Sequence, residues 1–176
     1  MRREETIVST TVLVAYATRY GSTHEVAEAV AATMRERGLA VDLRPMASVD
    51  SLAGYRAIVM GAPLFMFRWH KDALRFLARH RQALTERPVA VFALGPVHDP
   101  NDPQYEEKWR DSRAQLDKEL ARFPWLTPIA VTVFGGKCDP KKLRFPLSLF
   151  AGWVPANDLR DWAAIRAWAV DLASNL

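Results

Sequence analysis

Five short apolar runs, separated by segments with helical periodicity, constrain the fold of this chain more than any other feature. Strands buried on both faces have near-continuous hydrophobic sequences, and helices between successive strands are typical of a parallel sheet covered on both sides. The pattern therefore predicts an α/β fold. The predicted strands are Thr11–Tyr16, Ala40–Arg44, Ala57–Gly61, Val89–Leu94 and Ile129–Phe134.

The segments between these runs predict the helices. Ser22 and Glu25 have the spacing of a capping box, and Gly38 is a typical residue to end the helix that they begin. With 176 residues, no repeat and no low-complexity linker, we expect one domain over residues 1–176, with an insertion at 137–157 before the last helix. The predicted helices are Ser22–Arg37, a short turn at Val49–Leu52, His70–Gln82, Asp102–Phe123 and Leu159–Ala173.

Open parallel sheets bind ligands beyond the carboxyl ends of their strands, so the loops after strands one, three and four are the candidate site. The first loop joins a strand directly to a helix and is rich in hydroxyls: Thr18, Arg19, Tyr20, Gly21, Ser22 and Thr23. Backbone amides at a helix N-terminus attract anions, and a glycine lets the chain approach one closely. The loop predicts a phosphate site. Helix capping alone by Ser22 and Thr23 is the alternative.

The loops after strands three and four are unusual in a different way. Pro63, Leu64, Phe65, Met66 and Phe67 are apolar residues beyond a predicted strand end, and a loop of this kind packs on the core or binds a flat ring. The loop Leu94, Gly95, Pro96, Val97 and His98 bends sharply and exposes backbone groups. For His98 we favour a solvated side chain over a catalytic one. The sequence indicates no catalytic residue and no metal site.

The segment VLVAYATRYGSTHEVAEAVA resembles the first strand, phosphate loop and first helix of flavodoxins. That family binds the phosphate of FMN in a T/S-x-T-G-x-T loop, which Thr18, Gly21 and Thr23 match, whereas Arg19 and Tyr20 depart from it. Both departures resemble a subgroup that includes menaquinone-dependent protoporphyrinogen oxidase. The resemblance implies a flavodoxin-like sheet of order 2-1-3-4-5 with helices on both faces. It also implies bound FMN, with the flavin ring between the second and third loops.

The resemblance favours an FMN-dependent oxidoreductase that transfers electrons between an organic donor, protoporphyrinogen-like in the subgroup, and a quinone-type acceptor. An electron carrier that docks to partner enzymes is an alternative, although typical carriers are acidic and this chain has a net charge of +4. A flavin-free binding domain is a second alternative. The oxidases of the subgroup have a longer insertion, tied to activity, at a place similar to 137–157.

Within that insertion, Lys137, Lys141, Lys142 and Arg144 precede the apolar stretch Phe145–Val154. A basic edge beside apolar side chains suits a membrane interface or a hydrophobic quinone, so residues 137–154 are a candidate for peripheral membrane contact. We favour the alternative, in which the stretch packs onto the domain. A single cysteine, Cys138, is compatible with a reducing compartment, so we expect a cytoplasmic protein. We interpret its thiol as inert. No nucleic-acid-binding motif is present.

Overall fold

A parallel sheet lies at the centre of the computed structural model, which describes residues 10–65, 68–95, 102–153 and 156–176. The strands are β1 Thr11–Tyr16, β2 Val41–Pro45, β3 Tyr55–Phe65, β4 Arg68–Trp69, β5 Val89–Leu94, β6 Ala130–Phe134, β7 Lys137–Cys138 and β8 Asn157–Asp158. The helices are α1 Ser22–Glu36, α2 Lys71–Arg79, α3 Arg81–Thr85, α4 Tyr105–Leu120 and α5 Trp162–Asn175. Three 3-10 segments cover Met46–Ser48, Pro140–Lys142 and Leu147–Trp153.

The parallel strands follow the order β2-β1-β3-β5-β6, which is the predicted 2-1-3-4-5 once only parallel strands are counted. The short β4 pairs antiparallel with the end of β3, and β7 and β8 form a separate two-stranded ribbon. The predicted flavodoxin-like sheet is confirmed.

Alternating strand side chains divide the core into two layers. In β1, Val12 and Val14 pack under α1 and α5, whereas Leu13 and Ala15 face α2, α3 and α4. All four residues are fully buried. Because helices cover both faces of the sheet, the end where the parallel strands terminate is the edge that remains available to a ligand.

The third strand is longer than predicted. Its apolar residues continue to pair with β5 past Gly61, as far as Pro63 opposite Leu94. Pro63, Leu64 and Phe65, predicted as a loop, therefore lie in β3, and Leu64 pairs with Trp69 in a hairpin. The loop prediction was wrong because apolar side chains allow a strand to continue wherever a neighbouring strand accepts its hydrogen bonds.

Two helix predictions also need correction. The short turn lies at Met46–Ser48 rather than at Val49–Leu52, because Pro45 begins it and Val49 is already extended. The helix predicted at His70–Gln82 breaks at His80, the C-cap of α2 and N-cap of α3, whose buried ring contacts the carbonyl of Val49 at 3.2 Å. In the described ranges, no helix combines the length and the apolar character needed to cross a bilayer.

Candidate functional site

The loop after β1 turns sharply at Gly21, the residue that precedes α1. Gly21 has φ +95°, a left-handed conformation that favours glycine, and open space surrounds the position that a Cβ would occupy. Its N–H donates to Thr18 Oγ1 at 2.9 Å. Thr18 therefore holds the loop closed from within.

The first turn of α1 leaves polar hydrogens without acceptors. The first hydrogen bond of the helix runs from Glu25 N–H to the Gly21 carbonyl, so the amides of Ser22, Thr23 and His24 have no acceptor among the described residues. Thr23 is fully buried, and its Oγ1 also lacks a hydrogen-bond partner in the described part of the chain. A buried hydroxyl without a partner costs about 1–3 kcal/mol, which an anion accepting from it would offset.

Arg19 and Tyr20 form one rim of the site together with Phe65. The guanidinium of Arg19 lies 4.4 Å from the centroid of the Phe65 ring, and Arg19 Nε donates to the Tyr20 hydroxyl at 3.1 Å. A guanidinium over an aromatic face is a favourable cation–π arrangement. The two residues that depart from the flavodoxin loop pattern thus link the loop after β1 to the end of β3.

A cavity of about 280 Å³ opens at the carboxyl ends of β1, β3, β5 and β6. This volume is close to the lower end of the range of about 300–1,000 Å³ that is usual for small-molecule pockets. Most of its lining is apolar. The lining residues are Arg19, Tyr20, Ser22, Pro63, Leu64, Phe65, Leu94, Gly95, Gly136, Lys137, Cys138, Asp139 and Leu143.

The cavity brings together residues from all three predicted loops. Thr18, Gly21 and Thr23 are adjacent in the chain to residues that line it, but they do not line it themselves. At the end of β5, the Gly95 N–H donates to the Phe134 carbonyl at 2.8 Å, which fixes this wall of the cavity. The predicted site residues Met66, Phe67, Pro96, Val97 and His98 lie outside the described residues.

The cavity has a fourth wall besides the three predicted loops. It follows β6, and it was not predicted from the sequence. Gly136, Lys137, Cys138 and Asp139 line the cavity there, and Leu143 joins them. A signal was available, since a fifth parallel strand ends at the same sheet edge as the others. Burial raises the pKa of the Cys138 thiol, with Asp139 adding to the effect, so the thiol stays protonated.

A buried arginine fastens this fourth wall to α1. Arg160 donates to Glu25 at 2.6 Å and to Asp158 at 2.5 Å, and its side chain is 3% exposed. These hydrogen bonds are the main reason why the pKa values of Glu25 and Asp158 are lowered. Because Asp158 pairs with Lys137 across the β7–β8 ribbon, Arg160 holds the ribbon against the first turn of α1.

Charged side chains of both signs surround that first turn, since Glu25 and Asp139 line the same small recess as Lys137 and Lys142. The two lysines lie in this recess beside Tyr20 and Ser22, and both lower the pKa of Glu25 electrostatically. Helix amides, hydroxyls and lysines together suit an anion such as a phosphate. Among the residues that the structure describes, no group of three or more His, Cys, Asp or Glu side chains could hold a metal ion.

The apolar stretch of the insertion is exposed, contrary to the packing that we favoured. Phe145, Leu149, Phe150 and Trp153 expose between 59% and 88% of their surface. The packing prediction was wrong for these four residues because helices already cover both faces of the sheet, so no apolar face is left to receive them.

Comparisons with known proteins agree with this architecture. The sequence model of the flavodoxin domain matches residues 13–146. Protoporphyrinogen IX dehydrogenase (quinone) from Escherichia coli K12 is 22% identical over 151 residues, covering 74% of this chain and 83% of the relative.

Among solved structures, oxidised flavodoxin 2 from Bacillus cereus has a TM-score of 0.59 and 19% identity, over 94% of this chain and 99% of that one. Rubredoxin oxygen:oxidoreductase from Desulfovibrio gigas has a TM-score of 0.55 and 14% identity. The match covers 94% of this chain but 36% of that protein. At these identities the structural likeness concerns the fold.

Proposed function

Because this chain belongs to the flavodoxin domain family, we propose that it binds FMN in the cavity at the carboxyl ends of its parallel strands. We propose further that it is an oxidoreductase, passing electrons from an organic donor to a quinone-type acceptor. The observation that carries the cofactor proposal is the buried Thr23 Oγ1 without a partner, next to three amides in the same condition.

The residues of the cavity fit the parts of FMN. Ser22 and Thr23 would hold the phosphate with their amides and hydroxyls, and His24 would add a third amide donor. The apolar ends of β3 and β5, with Leu64, Phe65 and Leu94, would pack against the ring and exclude water. When bound, the flavin supplies reversible one- or two-electron transfer, and the protein contributes position and electrostatics.

Support for the substrate class comes from the curated relative and from charge. The E. coli relative is named for a porphyrinogen donor and a quinone acceptor, and it aligns with most of this chain. Arg19 and Lys137 stand at the cavity rim, where they would attract a carboxylate-bearing donor such as a porphyrinogen. The apolar lining suits a quinone ring.

An electron carrier is the second candidate, favoured by the fold match over nearly the whole length of a Bacillus cereus flavodoxin. Carriers dock through surface charge, and the net charge of +4 would select acidic partners. Anaerobic turnover separates the two candidates. An enzyme of the proposed kind oxidises protoporphyrinogen IX with a soluble quinone and no partner protein, whereas a carrier is inactive under those conditions.

The experiment has two stages. The purified protein should show the visible absorbance of an oxidised flavin, and the extracted cofactor should have the mass of FMN. Porphyrin fluorescence then follows donor oxidation in the presence of a quinone. Thr23→Val serves as the internal control, because its activity should fall with FMN occupancy and return at saturating FMN. A protein that retains no flavin after incubation with excess FMN would contradict the cofactor proposal. An FMN-loaded protein without turnover would contradict only the substrate proposal.

A further inference from the structure

The exposed apolar side chains of the insertion form an apolar patch, defined here as Phe145, Leu149, Phe150 and Trp153. Their exposed fractions are 80%, 69%, 59% and 88%. These are four of the six large hydrophobic side chains that lie exposed in the described part of the chain, the others being Trp109 and Ile129. Large aromatic and aliphatic side chains clustered in one segment mark an interaction surface.

A basic rim, defined as Lys141, Lys142 and Arg144, adjoins the apolar patch. All three residues are exposed. No Asp or Glu occurs between residues 140 and 153, so the segment has no internal carboxylate to neutralise these cations. Apolar side chains next to exposed cations are the combination by which peripheral proteins bind anionic bilayers.

The patch is continuous with the wall of the cavity. Leu143 lines the cavity and lies between Lys142 and Arg144, two residues before Phe145. The 3-10 segment Pro140–Lys142 packs against Leu147–Trp153, which makes the basic and apolar parts one structural unit. Whatever binds the patch therefore lies beside the cavity.

We propose that residues 140–153 dock this protein onto an anionic lipid bilayer, with the apolar patch in the headgroup region and the basic rim on the lipid phosphates. Charge complementarity selects this occupant over a second copy of the chain, since pairing two patches would bring two basic rims together. Docking itself does not require a flavin. If the proposed function also holds, the cavity lies next to the phase in which a hydrophobic quinone dissolves.

Vesicle sedimentation of the full chain tests the proposal. We expect binding to phosphatidylcholine vesicles that contain phosphatidylglycerol, weaker binding to phosphatidylcholine alone, and release by salt. Neutralising two cations in Lys141→Gln/Arg144→Gln should weaken binding to anionic vesicles about 30-fold, since each cation near the surface contributes roughly fivefold. Phe150→Ser/Trp153→Ser should weaken it at least about tenfold. Neither pair lines the cavity, so FMN affinity should be unchanged in both variants.

Ile129→Ser is the matched control, because Ile129 is 50% exposed outside the patch and its replacement should leave vesicle binding unchanged. Wild-type protein that does not sediment with anionic vesicles would overturn the proposal. So would binding that the two patch variants retain. A dimer in light scattering that Phe150→Ser/Trp153→Ser abolishes, without vesicle binding, would assign the patch to a second copy instead. A protein that binds anionic vesicles but fails to bind added FMN would refute the flavin proposal and leave this one intact.

Discussion

Thr23→Val tests whether the loop after β1 binds the FMN phosphate. The substitution should stabilise the apoprotein and weaken FMN binding. The side chain is fully buried and its Oγ1 has no partner among the described residues, so the apoprotein bears a desolvation cost of about 1–3 kcal/mol. Valine has nearly the same shape and helix propensity, without the hydroxyl. We expect the free energy of unfolding of the apoprotein to rise by about 1 kcal/mol.

FMN binding should change the other way. A hydrogen bond to a charged group contributes about 1.5–3 kcal/mol, so loss of the Thr23 hydroxyl should weaken FMN binding about 10- to 150-fold. Urea denaturation of the flavin-free protein measures the first effect, and quenching of FMN fluorescence during titration measures the second. Opposite signs from one substitution distinguish a ligand-binding hydroxyl from a structural one.

Thr33→Val is the control for this prediction. Thr33 is 5% exposed in the same helix, ten residues farther along, or about 15 Å at 1.5 Å per residue. Its replacement should leave FMN affinity unchanged. If Thr23→Val destabilises the apoprotein and binds FMN as tightly as the wild type does, the Thr23 hydroxyl is not a phosphate ligand.

Two further predictions concern the framework of the site. Arg160→Met removes the buried partner of Glu25 and Asp158, and we expect it to lower the free energy of unfolding at neutral pH by about 2–3 kcal/mol. Because Arg160 lowers the pKa of both carboxyls, their stabilising contribution is complete above the ordinary carboxyl pKa and is lost as the pH falls through the lowered values. The difference between wild type and Arg160→Met should therefore shrink below about pH 4, which urea denaturation across this range checks, and a constant difference would contradict the ion-pair account. Gly61→Ala should destabilise the fold by about 1–3 kcal/mol or more, since its Cβ would lie 1.9 Å from the Phe92 ring, and Gly61→Ala/Phe92→Leu should recover part of the loss in the same assay.

The loop between β1 and α1 could be predicted from sequence because its determinants are local. A buried strand, a glycine that takes a left-handed conformation and a helix start lie within a dozen residues of one another. The sheet order followed from family resemblance. Hydroxyl burial did not follow, because Thr23 has no partner only once the rest of the chain packs around α1.

The remaining parts of the site depend on distant pairing. Nothing near Pro63 reveals that Leu94 lies opposite, so the end of β3 was predicted as a loop. The wall at Lys137–Cys138 depends on its ribbon with Asn157–Asp158 and on Arg160 reaching Glu25, contacts between residues far apart in the sequence. Exposure of Trp153 could not be deduced either, since apolar sequence alone does not show whether a free surface exists to cover it.

The central claim is that an anion is held where β1 passes into α1. Calorimetric titration of the flavin-free protein with FMN and with riboflavin tests it most directly, because the two ligands differ only in the phosphate. With two or more charge-assisted hydrogen bonds to that phosphate, each contributing about 1.5–3 kcal/mol, FMN should bind at least about 100-fold more tightly. Equal affinities for the two ligands would contradict the claim.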